Sequence, residues 1–409
     1  MDIVVSGLGI ISSIGIGKEE FWDAIKEVPL GHIQVEKNVR LVRQFEPGRY
    51  MPDLSVRRMD KVTQFALVVS HLALQDAGIE ITDLKKYKKT GVVFCTTHGA
   101  ISFSRRFHQG LVQEGVQLGS PSLFSNSLFN TPLGEICKYF RIRHFGNTIV
   151  SGTTGGIDVL AFAKDLIETG LLDLVLVVGS EEYDPIMSTA YSQMGMTGPE
   201  SLEGRRYMRG FGHCPDKFIL GEGAAAIVLE SRDSALKRNA NIYGRVQSAD
   251  CGYNKTIQKD FTRRTGGFRA ESAIREAAAI IRNMLQKDQK NQKKIDYILT
   301  GFNSLDNEGH NKGFEIFRAA FGSELEKITV NTLKPLTGEC FATGSLMQAV
   351  AALLALNHDA IPLGKGFGYG PQEDNSGFAQ DVFNEKKINA VLVHSINFDG
   401  TTGALVLER

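Results

Sequence analysis

Short apolar runs rich in β-branched residues alternate with stretches of helical periodicity along this chain, and the series is gone through twice. That alternation restricts the fold to the α/β class, because strands apolar on both faces need helices above and below them. The first series of predicted strands is Ile3 to Ile10, Gly91 to Cys95, Thr148 to Ser151, Leu174 to Val178 and Ala224 to Leu229. After Arg232 a looser restatement follows: Tyr243 to Ala249, Tyr297 to Thr300, Val391 to Ser395 and Ala404 to Leu407. Helical periodicity fits Met59 to Ala77, Ile157 to Glu168, Ala270 to Leu285 and Gly344 to Leu356. At 409 residues, two domains or one doubled domain is expected. The junction, near Lys237 to Ile242, is polar but holds no long Pro/Gly/Ser linker, so the halves are expected to pack as one body.

Charge narrows the partners. With 46 basic and 46 acidic residues and a pI near 7.1, there is no global field to draw in nucleic acid or a membrane surface. Neutral small molecules or proteins fit better. The N-terminal stretch MDIVVSGLGIISSIG lacks a basic n-region and a small-residue cleavage site, and no apolar run reaches roughly 18 residues, so a cytoplasmic protein is expected. Cys95, Cys137, Cys214, Cys251 and Cys340 are widely spaced and form no CxxC pair, which signals neither a disulfide framework nor a metal site. They read as small buried hydrophobes. The charged run KDQKNQKKID, 287–296, reads as a solvated helix end.

Three local motifs carry more. In IVSGTTGGIDVLAFAKDLIETG, 149–170, a buried strand turns sharply through Gly152 to Gly156 into an amphipathic helix. Acyl-transferring enzymes present a nucleophile at such an elbow, where the helix N-terminus favours an anion. This elbow offers only Thr153 and Thr154, and its glycines match neither phosphate-binding spacing. The second motif, NTLKPLTGECFATGSLMQAVAALLAL at 331–356, places Lys334 and Glu339 in a turn before a long apolar helix. The third, HSINFDGTTGALVLER, reads as a strand, a loop and a closing strand.

In this order and at these spacings the motifs resemble the β-ketoacyl-acyl carrier protein synthases, the condensing enzymes of the thiolase fold. The likeness also takes in VVSGLGIISSIG near the N-terminus, FILGEGAAAIVLE at 218–230 and IDYILTGFNS at 295–304. It implies a thiolase-like α/β fold of two similar halves, 1–240 and 241–409, packed as α-β-α-β-α layers. Active members carry a cysteine at the elbow, in a pattern like A-C-T-S-G, which aligns with Thr153. An ungapped match from Ser120 and Pro121 to the elbow supports that register. The family's two catalytic histidines, in H-G-T-S-T and T-G-H motifs, fall on Gly301 or, with one gap, Phe302, and on Glu339.

All three catalytic positions are therefore degenerate. A threonine hydroxyl does not ionise near neutral pH without a strong base, and an ionised Glu339 would repel an enolate that the family meets with two imidazole donors. His310, in the loop LDNEGHNKG, and His394, on a core strand, are the nearest histidines, and neither reads as a replacement. Lys334 matches the lysine before the family's second histidine and reads as a support for its loop.

The elbow V-S-G-T-T-G-G-I-D and the stretch PLTGECFATGSLMQAVAALLAL resemble those of the chain-length factors, the silent partner subunits of type II polyketide ketosynthases. That resemblance implies a heterodimer with an active ketosynthase, with the strand Thr148, Ile149, Val150 and Ser151 pairing across the interface. It also implies an acyl chain carried on the phosphopantetheine of a separate acyl carrier protein, and no cofactor of the chain's own. Leu123, Phe124, Leu128 and Phe129, in SPSLFSNSLFN, are the candidate tunnel floor, each set against ordinary core packing. Two other readings stay open: an autonomous acyltransferase or decarboxylase using Thr153 or Ser151, and a structural homodimer.

Overall fold

The computed structural model describes residues 1–27, 39–87, 89–194, 196–197, 218–253, 271–286, 294–302, 312–362, 384–385, 387–397 and 400–409. Ten strands line up in one mixed sheet. Its first arm holds β1 (Ile3–Ser12), β2 (Thr90–Thr96), β3 (Phe145–Val150), β4 (Leu174–Glu181) and β5 (Gly223–Ser231). The second holds β6 (Gly244–Tyr253), β7 (Tyr297–Thr300), β8 (Thr329–Asn331), β9 (Ala390–Ile396) and β10 (Thr401–Glu408). The order is β8-β7-β9-β10-β6-β1-β5-β4-β2-β3, which leaves β3 at an edge.

Outward from β1 the pairings run antiparallel to β5, antiparallel to β4, then parallel to β2 and β3. Outward from β6 the same sequence recurs through β10, β9, β7 and β8. The arms meet where Val4 and Val5 pair with Arg245 and Gly244.

Alternate residues of both arms face one central layer made by helices α5 (Gly155–Glu168) and α9 (Phe341–His358). Val93, Val177, Leu299, Val393 and Leu405 share a core with Ile157 and Leu160 of α5 and Leu346 and Val350 of α9. The α9 sequence is apolar nearly all round, as a helix sandwiched between two sheet faces must be. On the outer face of the first arm, Val92, Phe94 and Leu176 pack on α1 (Lys61–Asp76) and α4 (Thr131–Tyr139). Outside the second arm, Ile298, Val330 and Leu392 pack on α7 (Glu271–Gln286) and α8 (Lys312–Phe321). The five layers α-β-α-β-α follow, in agreement with the expected thiolase-like fold.

The strands and helices read from the sequence stand where expected, with shifted ends. Helix α5 begins at Gly155 rather than Ile157, and α9 at Phe341 rather than Gly344. Low helix propensity hides glycine in a first turn that packing requires. Among the helices that went unread are α2 (Ile101–Glu114), α3 (Pro121–Asn126) and α6 (Pro185–Gln193), as well as α4 and α8. Cys95 and Cys340 are buried as expected, whereas Cys251 is exposed, a correction to its reading as core; Cys214 lies outside the described residues. Among the described residues no helix is long and apolar enough to cross a membrane. Most of the 287–296 charge run also lies outside them.

Candidate functional site

Edge strand β3 runs into Ser151, Gly152, Thr153 and Thr154 before α5 begins. The glycines are set by close approach. A Cβ at Gly152 would lie 1.8 Å from Asn397 Nδ2, and one at Gly156 would lie 2.3 Å from the Leu346 backbone nitrogen. Gly156 N–H also donates to Ser345 Oγ at 3.0 Å, which ties α5 to α9 at the turn.

Thr153 is buried, and its hydroxyl donates to the Ile396 carbonyl at 2.9 Å. Its own carbonyl accepts from Ser395 Oγ at 2.8 Å. The proton of this hydroxyl thus rests on a backbone carbonyl, and no base is bonded to it among the described residues. The other two hydroxyls of the turn share one carboxylate: Ser151 Oγ donates to Asp158 Oδ2 at 2.7 Å and Thr154 Oγ1 to the same oxygen at 3.1 Å.

Gly301 follows β7, where its N–H donates to the His394 carbonyl at 2.7 Å. Phe302 is buried, with its ring 5.7 Å from Phe317 and 5.3 Å from His394. His394 itself is a core residue of β9. Its Nδ1 lies 3.3 Å from Thr300 Oγ1, and burial pushes its pKa down to about 3, so the ring is neutral at physiological pH. His310 lies outside the described residues.

Glu339 is buried beside a cation. Its Oε2 accepts from Lys334 Nζ at 2.5 Å and its Oε1 from the Phe341 N–H at 2.8 Å. Backbone bonds to Ile219 and Gly221 fix the same residue from the other side. Phe341 holds a left-handed φ of 45°, costly for a bulky side chain and maintained by these bonds and the packing of its ring. The carboxylate of this turn thus lies against a buried cation.

The fold joins these positions. Thr153 and Gly301 both bond to the end of β9, through Ile396, Ser395 and His394. Thr97 Oγ1 donates to the Ser151 carbonyl at 2.6 Å and accepts from the Ala342 N–H at 3.1 Å, bridging the elbow to α9. Sequence reasoning missed the polar cluster beyond that bridge. His98 Nδ1 lies 3.3 Å from Glu181 Oε2, its Nε2 lies 2.9 Å from the Tyr191 hydroxyl, and both rings pack on Phe341. Burial, with the charges of Glu339 and Glu181, raises the Tyr191 pKa, so the phenol stays protonated. The available signal was SEEYD, 180–184: consecutive acids directly after a buried apolar strand are anomalous.

The tunnel candidates sit elsewhere. Phe124, Leu128 and Phe129 are 52%, 42% and 44% exposed, and Leu123 is half-buried, which corrects the alternative of ordinary core packing for the first three. On the edge strand Thr148, Ile149 and Ser151 are half-buried and Val150 is exposed. No cluster of three or more His, Cys, Asp or Glu able to hold a metal occurs among the described residues.

Comparison with known proteins identifies the family and the fold. The N-terminal domain of β-ketoacyl synthases matches residues 1–235. The 3-oxoacyl-[acyl-carrier-protein] synthase 2 of Coxiella burnetii is 24% identical, over 100% of this chain and 98% of that protein. Among solved structures, the ishigamide ketosynthase/chain length factor superposes with a TM-score of 0.82 at 21% identity, covering 100% of this chain and 98% of that one. A type II polyketide synthase acyl-carrier protein in complex with its ketosynthase gives a TM-score of 0.80 at 21% identity, with 100% and 98% covered.

Proposed function

The chain belongs to the β-ketoacyl synthase family, and from that premise we propose that it is a silent subunit of chain-length-factor type, paired with an active ketosynthase. The observation that carries this reading is the Thr153 hydroxyl, buried at the nucleophile position and committed to the Ile396 carbonyl. The Lys334–Glu339 ion pair supports it, since a buried carboxylate there opposes an enolate.

In this reading the partner's cysteine performs the condensation, and the growing polyketide or polyene chain arrives on the phosphopantetheine of an acyl carrier protein. The two halves, 1–240 and 241–409, form the scaffold. Edge strand β3 offers its free side to the partner. Leu123, Phe124, Leu128 and Phe129 contribute to the floor of the acyl passage at the interface, where side-chain volume limits how many extensions fit.

In a reconstituted pair, Thr153→Ala is expected to leave product formation within about twofold of the parent. A loss of about a hundredfold or more, the scale of removing a catalytic group, would overturn the silent assignment. One observation favours a second reading, an autonomous acyltransferase: Ser151 Oγ lies 2.7 Å from Asp158. A covalent acyl adduct on the isolated chain, seen by mass spectrometry after incubation with carrier-protein thioesters, would select it.

A further inference from the structure

Ser151 follows the exposed Val150 at the end of β3, an edge strand whose ladder partner among the described residues is β2. Three bonds fix it from the inner side. Its N–H donates to the Thr96 carbonyl at 3.2 Å, its carbonyl accepts from Thr97 Oγ1 at 2.6 Å, and its hydroxyl donates to Asp158 at 2.7 Å. The last residue of an edge strand is thereby held in place.

Of the three, the Thr97 bond reaches α9. The same oxygen accepts from the Ala342 N–H at 3.1 Å, in the first turn of that helix. First-turn N–H groups have no acceptor within their own helix, and the N-cap residue Cys340 supplies none from its side chain. Glu339 Oε1 takes the Phe341 N–H, and Thr97 takes the next one. An amide N–H can only donate, so the Thr97 hydroxyl keeps its own proton for the Ser151 carbonyl. Glu181 holds Thr97 in turn through its backbone N–H.

We propose that Thr97 is a positioning residue for the partner interface: by joining the Ser151 carbonyl to the start of α9, its hydroxyl orders the end of β3 before a partner subunit adds to that edge. This rests on the reading of β3 as the edge that an active ketosynthase meets. An edge already ordered pairs without the entropy cost of ordering it. Valine has the branched shape of threonine but can neither accept from Ala342 nor donate to Ser151. In Thr97→Val both backbone groups would have to find other partners.

The test is the dissociation constant of the pair reconstituted from the whole chain and an active, cysteine-bearing ketosynthase, read by light scattering on dilution. Amide hydrogen exchange of residues 149–152 is measured beside it in the chain before pairing. Thr97→Val is expected to weaken pairing by about tenfold, and Thr97→Ser to stay within about twofold of the parent. Exchange at 149–152 should rise by about tenfold in Thr97→Val while that of β1 holds. Unchanged pairing in Thr97→Val, exchange of β1 rising in step, or a Thr97→Ser variant as weak as Thr97→Val would overturn the proposal. Should Thr97→Val fail to fold, Thr97→Cys, a weaker donor and acceptor, is judged by the same outcomes. A parent chain that forms no pair would overturn the ketosynthase reading and the proposal together, whereas a parent that pairs no better than Thr97→Val overturns the proposal alone.

Discussion

The elbow and the arm at 101–130 are built on opposite principles. At the elbow, backbones touch, each of the three hydroxyls of Ser151, Thr153 and Thr154 has an acceptor, and the neighbouring charges close on each other. In the arm, α2 buries nothing, and Val112, Val116, Leu118, Phe124, Leu128 and Phe129 are exposed. Several large apolar side chains left in water on one segment form a patch of the kind that interaction surfaces carry. The difference teaches that packing in this chain is uneven: tight around the elbow, and incomplete along the arm.

The sharpest way to break that contrast is at the ion pair. Lys334→Ala strands a buried carboxylate and is expected to destabilise the fold by about 3–5 kcal/mol in urea titration, while Lys334→Met combined with Glu339→Leu should recover most of the loss. A single-variant loss below about 1 kcal/mol would mean that the site is more open than its packing indicates. The arm should behave oppositely. Phe129→Ala is expected to change the stability of the isolated chain by less than about 0.5 kcal/mol, yet to weaken partner binding by about 2 kcal/mol in calorimetry. A large drop in melting temperature would instead make the arm an extension of the core.

A further test concerns acid. The folded-state pKa of His394, about 3, lies below its unfolded value near 6.5, so the unfolded chain takes up a proton that the native chain refuses. Stability is full above about pH 6.5 and falls as pH drops toward 3, by up to about 1.4 kcal/mol per pH unit. His394→Leu should flatten that limb in denaturation measured across pH, and an unchanged limb would remove His394 from the neutral core.

Much of the architecture was legible because burial on both faces leaves a mark in composition. The strands Leu174–Glu181 and Gly223–Ser231 carry the unbroken apolar runs 174–178 and 224–229, and α9 is apolar on nearly every side. Thr153 and Glu339 could be singled out because each sits in a recognisable motif, a glycine-rich elbow and a turn before an apolar helix. Helix α2 was not, because its residues face solvent or an uncovered surface and carry no clean period. His98, Glu181 and Tyr191 were missed because residues 83 and 93 positions apart announce nothing of their contact.

By itself the sequence determined the α/β class and the doubled succession of strands, because hydrophobic period is a property of residue order. Only the tertiary structure decided which groups neutralise which. It set Lys334 against Glu339 and gave Thr153 the Ile396 carbonyl. The physical reason is that a buried polar group is governed by its nearest partners, and partners remote in sequence become neighbours only once the sheet and its central helices have packed.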